Sequence, residues 1–88
     1  MDSTDLIDGF VDMLWLEAGL SDNTLAAYRR DLERFARALP EDRSLAMVDR
    51  SDVLGHLAEQ ARAGVKARTT ARQLSTLRRF YHHLLETG

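Results

Sequence analysis

Apolar residues recur along the whole chain at intervals of three and four, the spacing of one face of an α-helix, without the strict alternation of a strand. A first helix is predicted over about 4–17, with Ser3 or Thr4 as its cap and Gly19 ending it. Its apolar surface is wide: Leu6, Phe10, Met13 and Leu14 form one stripe, and Ile7, Val11 and Trp15 broaden it. A helix of that breadth either lies deep in a core or buries a second face against another protein. A second helix begins near Ser21 to Thr24 and stops before Pro40, the one proline. Its core stripe is Leu25, Tyr28, Leu32, Phe35 and Leu39, and its far side carries Asn23, Ala27, Arg30, Arg34 and Arg37. On that helix Arg29 and Arg30 are placed to pair with Glu33, and Arg34 with Asp31 or Glu33.

Residues 41–50 read as a loop anchored by Leu45 and Val48. Ser51 is the expected cap of a third helix, with Asp52 favouring its start and Gly64 its end. Val53, Leu54, Leu57 and Ala61 are its inward positions. The fourth helix runs from roughly residue 67 to 86, about 20 residues and ~30 Å long, and Gly88 closes the sequence. Projected on a helix it carries Leu74, Leu77, Tyr81 and Leu84 on one side. Arg68, Arg72 and Arg79 fall on the other, flanked by Ser75 and Thr76. With no internal repeat or flexible linker, the pattern predicts one all-α domain over 1–88, a compact four-helix orthogonal bundle with short connections.

Composition leaves that picture intact and charge refines it. Hydrophobic residues at 44% and charged residues at 30% are those of an ordinary soluble globular protein. Without cysteine there are no disulfides or thiolate metal sites. The longest apolar runs, 13–16 among them, span only four residues, too short for a membrane span or a signal-peptide core, so a cytoplasmic location is expected. The net charge of −2 conceals a polarised chain. Asp2, Asp5, Asp8, Asp12 and Glu17 stand near the start with no cation among the first 20 residues. Lys66, Arg68, Arg72, Arg78 and Arg79 stand near the end against Glu86 alone. Arginines and hydroxyls on one helix face suit phosphates and base edges, and a small Ala27 among arginines lets a helix approach a groove.

Catalytic chemistry is not legible. His82 and His83 are adjacent and diverge by about 100° on a helix, so they cannot hold one metal together, and His56 stands alone. The carboxylates of the first helix are spaced like a solvated acidic face, and Ser21 and Ser75 have no evident histidine partner. No glycine-rich phosphate loop or metal-ligand spacing occurs. No cofactor is expected, and the chain reads as a binding module.

Two segments carry a specific likeness. The run from Leu20 through Ser21, Asp22, Asn23 and Thr24 to Tyr28, Arg29, Arg30, Asp31 and Leu32 resembles the second helix of the core-binding domain of tyrosine recombinases. The run from Thr69 through Arg72, Leu74, Ser75 and Leu77 to Arg78, Arg79, Phe80 and Tyr81 is similar to the last helix of that domain. The stretch from Val48 to Leu57 matches the third helix in position. The likeness covers essentially the whole chain and is nearest the bacterial branch that resolves chromosome dimers; phage and integron integrases share weaker versions.

The resemblance implies an N-terminal SAM-like domain that covers one side of DNA while a separate catalytic domain, absent from this chain, covers the other. It implies double-stranded DNA as partner, with contacts from Ser21, Asn23, Thr24, Ala27 and Arg30, and from Arg68, Thr69, Arg72, Ser75, Arg78 and Arg79. Asn23, Arg72 and Arg68 would supply what base reading there is. Lys66 occupies a position where the family often has a capping serine, a loss of about 1 kcal/mol that a phosphate contact would offset. The first helix, with Phe10 and Trp15, would meet another recombinase subunit in a tetrameric synapse. Tyr28 and Tyr81 belong to core stripes and are not read as nucleophiles. Two alternatives stay open: a SAM-type domain whose arginine face docks an acidic protein, and the core-binding domain of a mobile-element integrase.

Overall fold

The computed structural model describes residues 3–40 and 43–87; Asp2, Gly88 and the first two residues of the 41–50 loop, all included in the reading above, lie outside the described residues. Among these it contains four α-helices and no strand: α1 (Ser3–Met13), α2 (Asp22–Ala38), α3 (Arg50–Arg62) and α4 (Ala67–Thr87). A π-helical turn, Leu14–Ala18, extends α1, and a 3₁₀ turn, Leu45–Met47, sits between α2 and α3. The fold is all-α, as the periodicity predicts.

Local signals explain most of the boundaries. Gly19 takes a left-handed conformation at φ 62°, which ends the first helical segment where a side chain would be strained. Ser21 is the N-cap of α2, its Oγ accepting the Thr24 N–H at 3.3 Å. Gly64, at φ 83°, turns the chain between α3 and α4. The cap of α3 is a correction. Asp49, not Ser51, holds the Asp52 N–H at 3.0 Å, while the Asp52 carboxylate accepts the Asp49 N–H at 3.0 Å. That reciprocal pair is a capping box built from two aspartates. The Asp49 N–H and the Arg43 guanidinium hold the Asp52 carboxyl below its ordinary range.

The core forms around Phe10, which has no exposed surface. Its ring meets Phe80 of α4 edge-on at 5.3 Å and Tyr28 of α2 at 6.1 Å, with His83 at 5.6 Å. Ile7, Leu14, Leu25, Leu32, Phe35, Leu45 and Leu77 complete the buried cluster. The loop anchor Leu45 is fully buried, and the Tyr81 hydroxyl donates to its carbonyl at 2.8 Å. Burial pushes the Tyr81 phenol far above its ordinary range, which suits a structural hydroxyl.

Several expected faces are rotated. On α4 the buried positions are Gln73, Thr76, Leu77 and Phe80, whereas Leu74 and Tyr81 are half-buried at the flank. On α3 the inward side is Val53, His56, Leu57 and Gln60, while Leu54 and Ala61 are exposed. In both helices polar side chains occupy inward positions, so polarity misreports the face. Phe10 also cannot meet another subunit from the centre of the core. Trp15 and Leu16, 59% and 72% exposed, are what the end of the first helical segment leaves on the surface. The pairings expected within α2 give way to links between helices, Arg29 to Asp8 at 2.6 Å and Arg72 to Asp31 at 2.8 Å.

His56 packs edge-on against Phe35 at 5.1 Å, beside a cleft that Asp52, Glu59 and Arg62 also line. Burial, and secondarily the charge of Arg34, push its imidazole below the ordinary value of 6.5. Below pH 6.5 the unfolded chain therefore takes up a proton that the folded chain refuses, and stability present above that pH is lost as pH falls toward the folded-state value. The melting temperature is expected to drop between pH 7 and pH 5, and His56→Gln to flatten that drop. Loss carried by Asp52 belongs to a separate, more acidic window. Phe80→Ala, which empties a fully buried ring site in contact with Phe10, is expected to cost about 3–5 kcal/mol in urea denaturation.

Candidate functional site

The α2 and α4 faces meet across a cleft of about 150 Å³ lined by Thr24, Ala27, Tyr28, Arg72, Ser75 and Thr76. Four of the residues singled out in the sequence, Thr24, Ala27, Arg72 and Ser75, are thus brought together. On α2, Asn23, Ala27 and Arg30 follow one another at helical spacing, so an exposed amide and an exposed guanidinium flank the small residue. On α4, Arg68, Arg72, Ser75 and Arg79 follow at the same spacing.

Each cationic side chain has its own surroundings. Arg79 donates to the Tyr28 hydroxyl at 3.2 Å, its guanidinium 5.9 Å from the centre of that ring. Arg30, Arg68, Arg78 and Lys66 are exposed, with no ion pair or side-chain hydrogen bond among the described residues. Lys66 precedes α4, its carbonyl accepting the Thr70 N–H at 3.1 Å while its side chain supplies no capping acceptor. Thr69 is half-buried. Arg78 projects roughly 120° around the helix from Arg72, on a different side. Ser21 is exposed, but its hydroxyl caps α2 and donates to Thr24 Oγ1 at 3.0 Å.

Arg72 departs most from the expected arrangement. Its Nε and Nη2 donate to the two carboxylate oxygens of Asp31, at 3.3 and 2.8 Å. The Asp31 side chain is only 4% exposed, whereas that of Arg72 is 55% exposed. Thr76, expected as a surface flank of the arginine face, is buried instead. Its hydroxyl lies within donating distance of Asp31 Oδ2, 3.1 Å, and of the Arg72 carbonyl, 3.2 Å. Arg72 is therefore not a free surface cation. Sequence reasoning missed Asp31 and Tyr28 as the groups that hold the two arginines. The signal for Asp31 was its place at i+3 from Tyr28 and beside Leu32, on the edge of the core stripe, where a carboxylate needs a partner.

The described residues contain no group of three or more metal-ligating side chains, and no described helix is long and apolar enough to cross a membrane. The cleft is lined largely by apolar surface and bordered by the exposed Thr24, Arg72 and Ser75, whose O–H and N–H groups suit hydrogen-bond-accepting partners.

Comparison with known proteins gives the same direction. The family model for the phage integrase N-terminal SAM-like domain matches residues 7–88. The chain is 51% identical over 85 residues to tyrosine recombinase XerD of Pseudomonas aeruginosa, covering 94% of this chain and 28% of that protein. Against the XerD of Pseudomonas putida identity is 52% over 81 residues, 91% of this chain and 27% of the relative. Against that of Listeria innocua it is 39% over 87 residues, 96% and 29%. The chain thus spans less than a third of the length of these curated relatives. No solved structure matches the chain.

The arrangement around Asp31 separates two kinds of arginine by stability. Arg72→Ala leaves a buried carboxylate without its cation and is expected to cost about 2 kcal/mol. Arg68→Ala, at an exposed position, is expected to change stability by less than about 0.5 kcal/mol. Urea denaturation of the two variants beside the wild-type chain checks both.

Proposed function

Because this chain belongs to the phage integrase N-terminal SAM-like domain family, we propose that it is the DNA-binding core-binding domain of a XerD-type tyrosine recombinase. It forms half of a clamp on a recombination half-site. Strand cleavage and exchange belong to the remainder of the longer protein, which acts in a four-subunit assembly that resolves chromosome dimers in the cytoplasm. The observation that carries this reading is the convergence of Thr24, Ala27, Arg72 and Ser75 on one cleft, with Asn23, Arg30, Arg68 and Arg79 along the two helices that border it. Phosphate neutralisation by the exposed cations Arg30, Lys66, Arg68 and Arg78 supplies affinity, and base reading is confined to the donors at the cleft. Ser21, Thr69 and the N-terminal turn of α2 complete the contact surface.

The acidic side of the molecule serves the protein-facing role. Asp5 and Asp12 on α1 are exposed, and the following turn leaves Trp15 and Leu16 bare. DNA repels such a face, whereas a neighbouring subunit can cover it, and Trp15 takes the role first assigned jointly to Phe10 and Trp15.

Fluorescence-anisotropy titration with a duplex enriched by this chain from a random-sequence pool, and with a scrambled duplex, tests the DNA reading at two salt concentrations. Binding is expected to weaken steeply with salt, by about fortyfold or more between 50 and 200 mM for three or more phosphate contacts. Absence of binding to either duplex at low salt would favour a basic face that docks an acidic protein.

A further inference from the structure

Arg72 is tied to one carboxylate by one edge of its guanidinium. A guanidinium has five N–H donors, and Asp31 takes the Nε hydrogen and one on Nη2. Both hydrogens of Nη1 and the second on Nη2 remain, and one from each of these nitrogens forms the end-on fork. The side chain is 55% exposed and lines the cleft with Ser75 and Ala27, so this fork is accessible while the stem is held. Asp31 is itself held on both sides, by Arg72 and by the buried Thr76 hydroxyl. Its charge lies within hydrogen-bonding distance of the guanidinium, so at longer range the pair presents little net field.

We propose that Asp31 is a positioning residue that makes Arg72 a discriminating contact: it fixes the free fork in one orientation and cancels the charge that would otherwise attract any phosphate. This inference rests on the DNA-binding reading of the same site. The physics has two parts. An exposed arginine loses rotamer freedom when it binds, whereas one held by a two-point carboxylate contact has lost most of it already in the free protein. A fork of fixed orientation accepts an acceptor pair such as guanine O6 and N7 in one geometry only, so wrong sequences are rejected. A cation without a counter-charge would bind every phosphate alike. Asp31 therefore lowers non-specific affinity and raises selectivity.

A staple that merely joined α2 to α4 would behave differently, since weakening it would lower binding to all DNA together. Asp31→Asn separates the two. The amide is close in shape and still accepts from Arg72 or Thr76 through its oxygen, but it has no charge and only one acceptor atom. The titration uses the whole chain, the enriched and scrambled duplexes, and two salt concentrations, with thermal melts of each variant alongside. Asp31→Asn is expected to bind the scrambled duplex about threefold tighter, with a steeper salt dependence, while the enriched-to-scrambled ratio falls about tenfold. Arg72→Lys keeps the cation and loses the fork. Its enriched-to-scrambled ratio is expected to fall to a similar extent.

A parallel loss of affinity for both duplexes in Asp31→Asn, or an unchanged ratio in a folded variant, overturns the inference and leaves DNA binding standing. A wild-type chain that binds DNA without preference does the same. Should Asp31→Asn fail to fold, an unchanged ratio in Arg72→Lys overturns it. A wild-type chain that binds neither duplex at low salt overturns the DNA reading itself, and the inference with it.

Discussion

A carboxylate removed from water between two helices constrains the whole of the α2–α4 interface. Asp31 is almost fully enclosed, and an isolated ionised carboxyl in that position would be costly enough to disfavour the fold. The helices must therefore meet where α4 offers both a guanidinium and a hydroxyl, which Arg72 and Thr76 supply one turn apart. Sliding α4 by a turn along α2 would break both contacts. The aromatic cluster of Phe10, Tyr28 and Phe80 supplies the non-directional stabilisation that gathers α1, α2 and α4, and it tolerates small shifts. The polar contact is directional and selects one register. Because the cleft between Ala27 and Ser75 exists only in that register, the geometry of the candidate site depends on Asp31.

Charge is sorted by the same packing. Although the sequence carries two more carboxylates than cations, α1 holds exposed Asp5 and Asp12 while α4 holds exposed Arg68, Arg78 and Arg79. Asp8 of α1 and Arg29 of α2 pair at 2.6 Å, and both are partly exposed, so this pair adds little stability. Its consequence is for the field: it removes one charge from each of two helices that face different tasks. The acidic, tryptophan-bearing end and the basic cleft thus behave as separate surfaces despite the small size of the molecule.

Boundaries were legible in the sequence because their causes are local. Ser21, Gly19, Gly64 and Pro40 act on the few residues around them, and the ends of α2 and α4 fall close to where they were expected. The cap of α3 was less legible, because Asp49 and Ser51 are both good capping residues and the answering side chain, Asp52, is shorter than the usual glutamate. Buried faces were legible only where apolar residues filled them. Leu25, Leu32 and Phe35 gave α2 correctly, whereas Thr76 and His56 lie inward on α4 and α3 because Asp31 and the Phe35 ring accommodate them, and Gln73 is buried with no hydrogen-bond partner for its amide among the described residues. Thr24, Ala27, Arg72 and Ser75 were assigned to one site and do border one cleft. That Arg72 is held across 41 residues by Asp31 is a tertiary fact that no helical projection contains.

Arg72 at the cleft and Arg79 one helical step beyond it are held by different chemistry. Arg79 rests on a neutral tyrosine, so its charge is undiminished and acts over a Debye length. Arg72 rests on a carboxylate, so its charge is largely cancelled at that distance while its outer N–H groups remain available on contact. In the proposed DNA-bound state, Arg79 and the exposed Arg30, Arg68, Arg78 and Lys66 draw in any phosphate backbone, and Arg72 acts only when the partner is already seated. Attraction and discrimination then reside in different side chains of one surface. Under the proposed reading that separation matters, because a single set of bare cations would strengthen capture and wrong binding together.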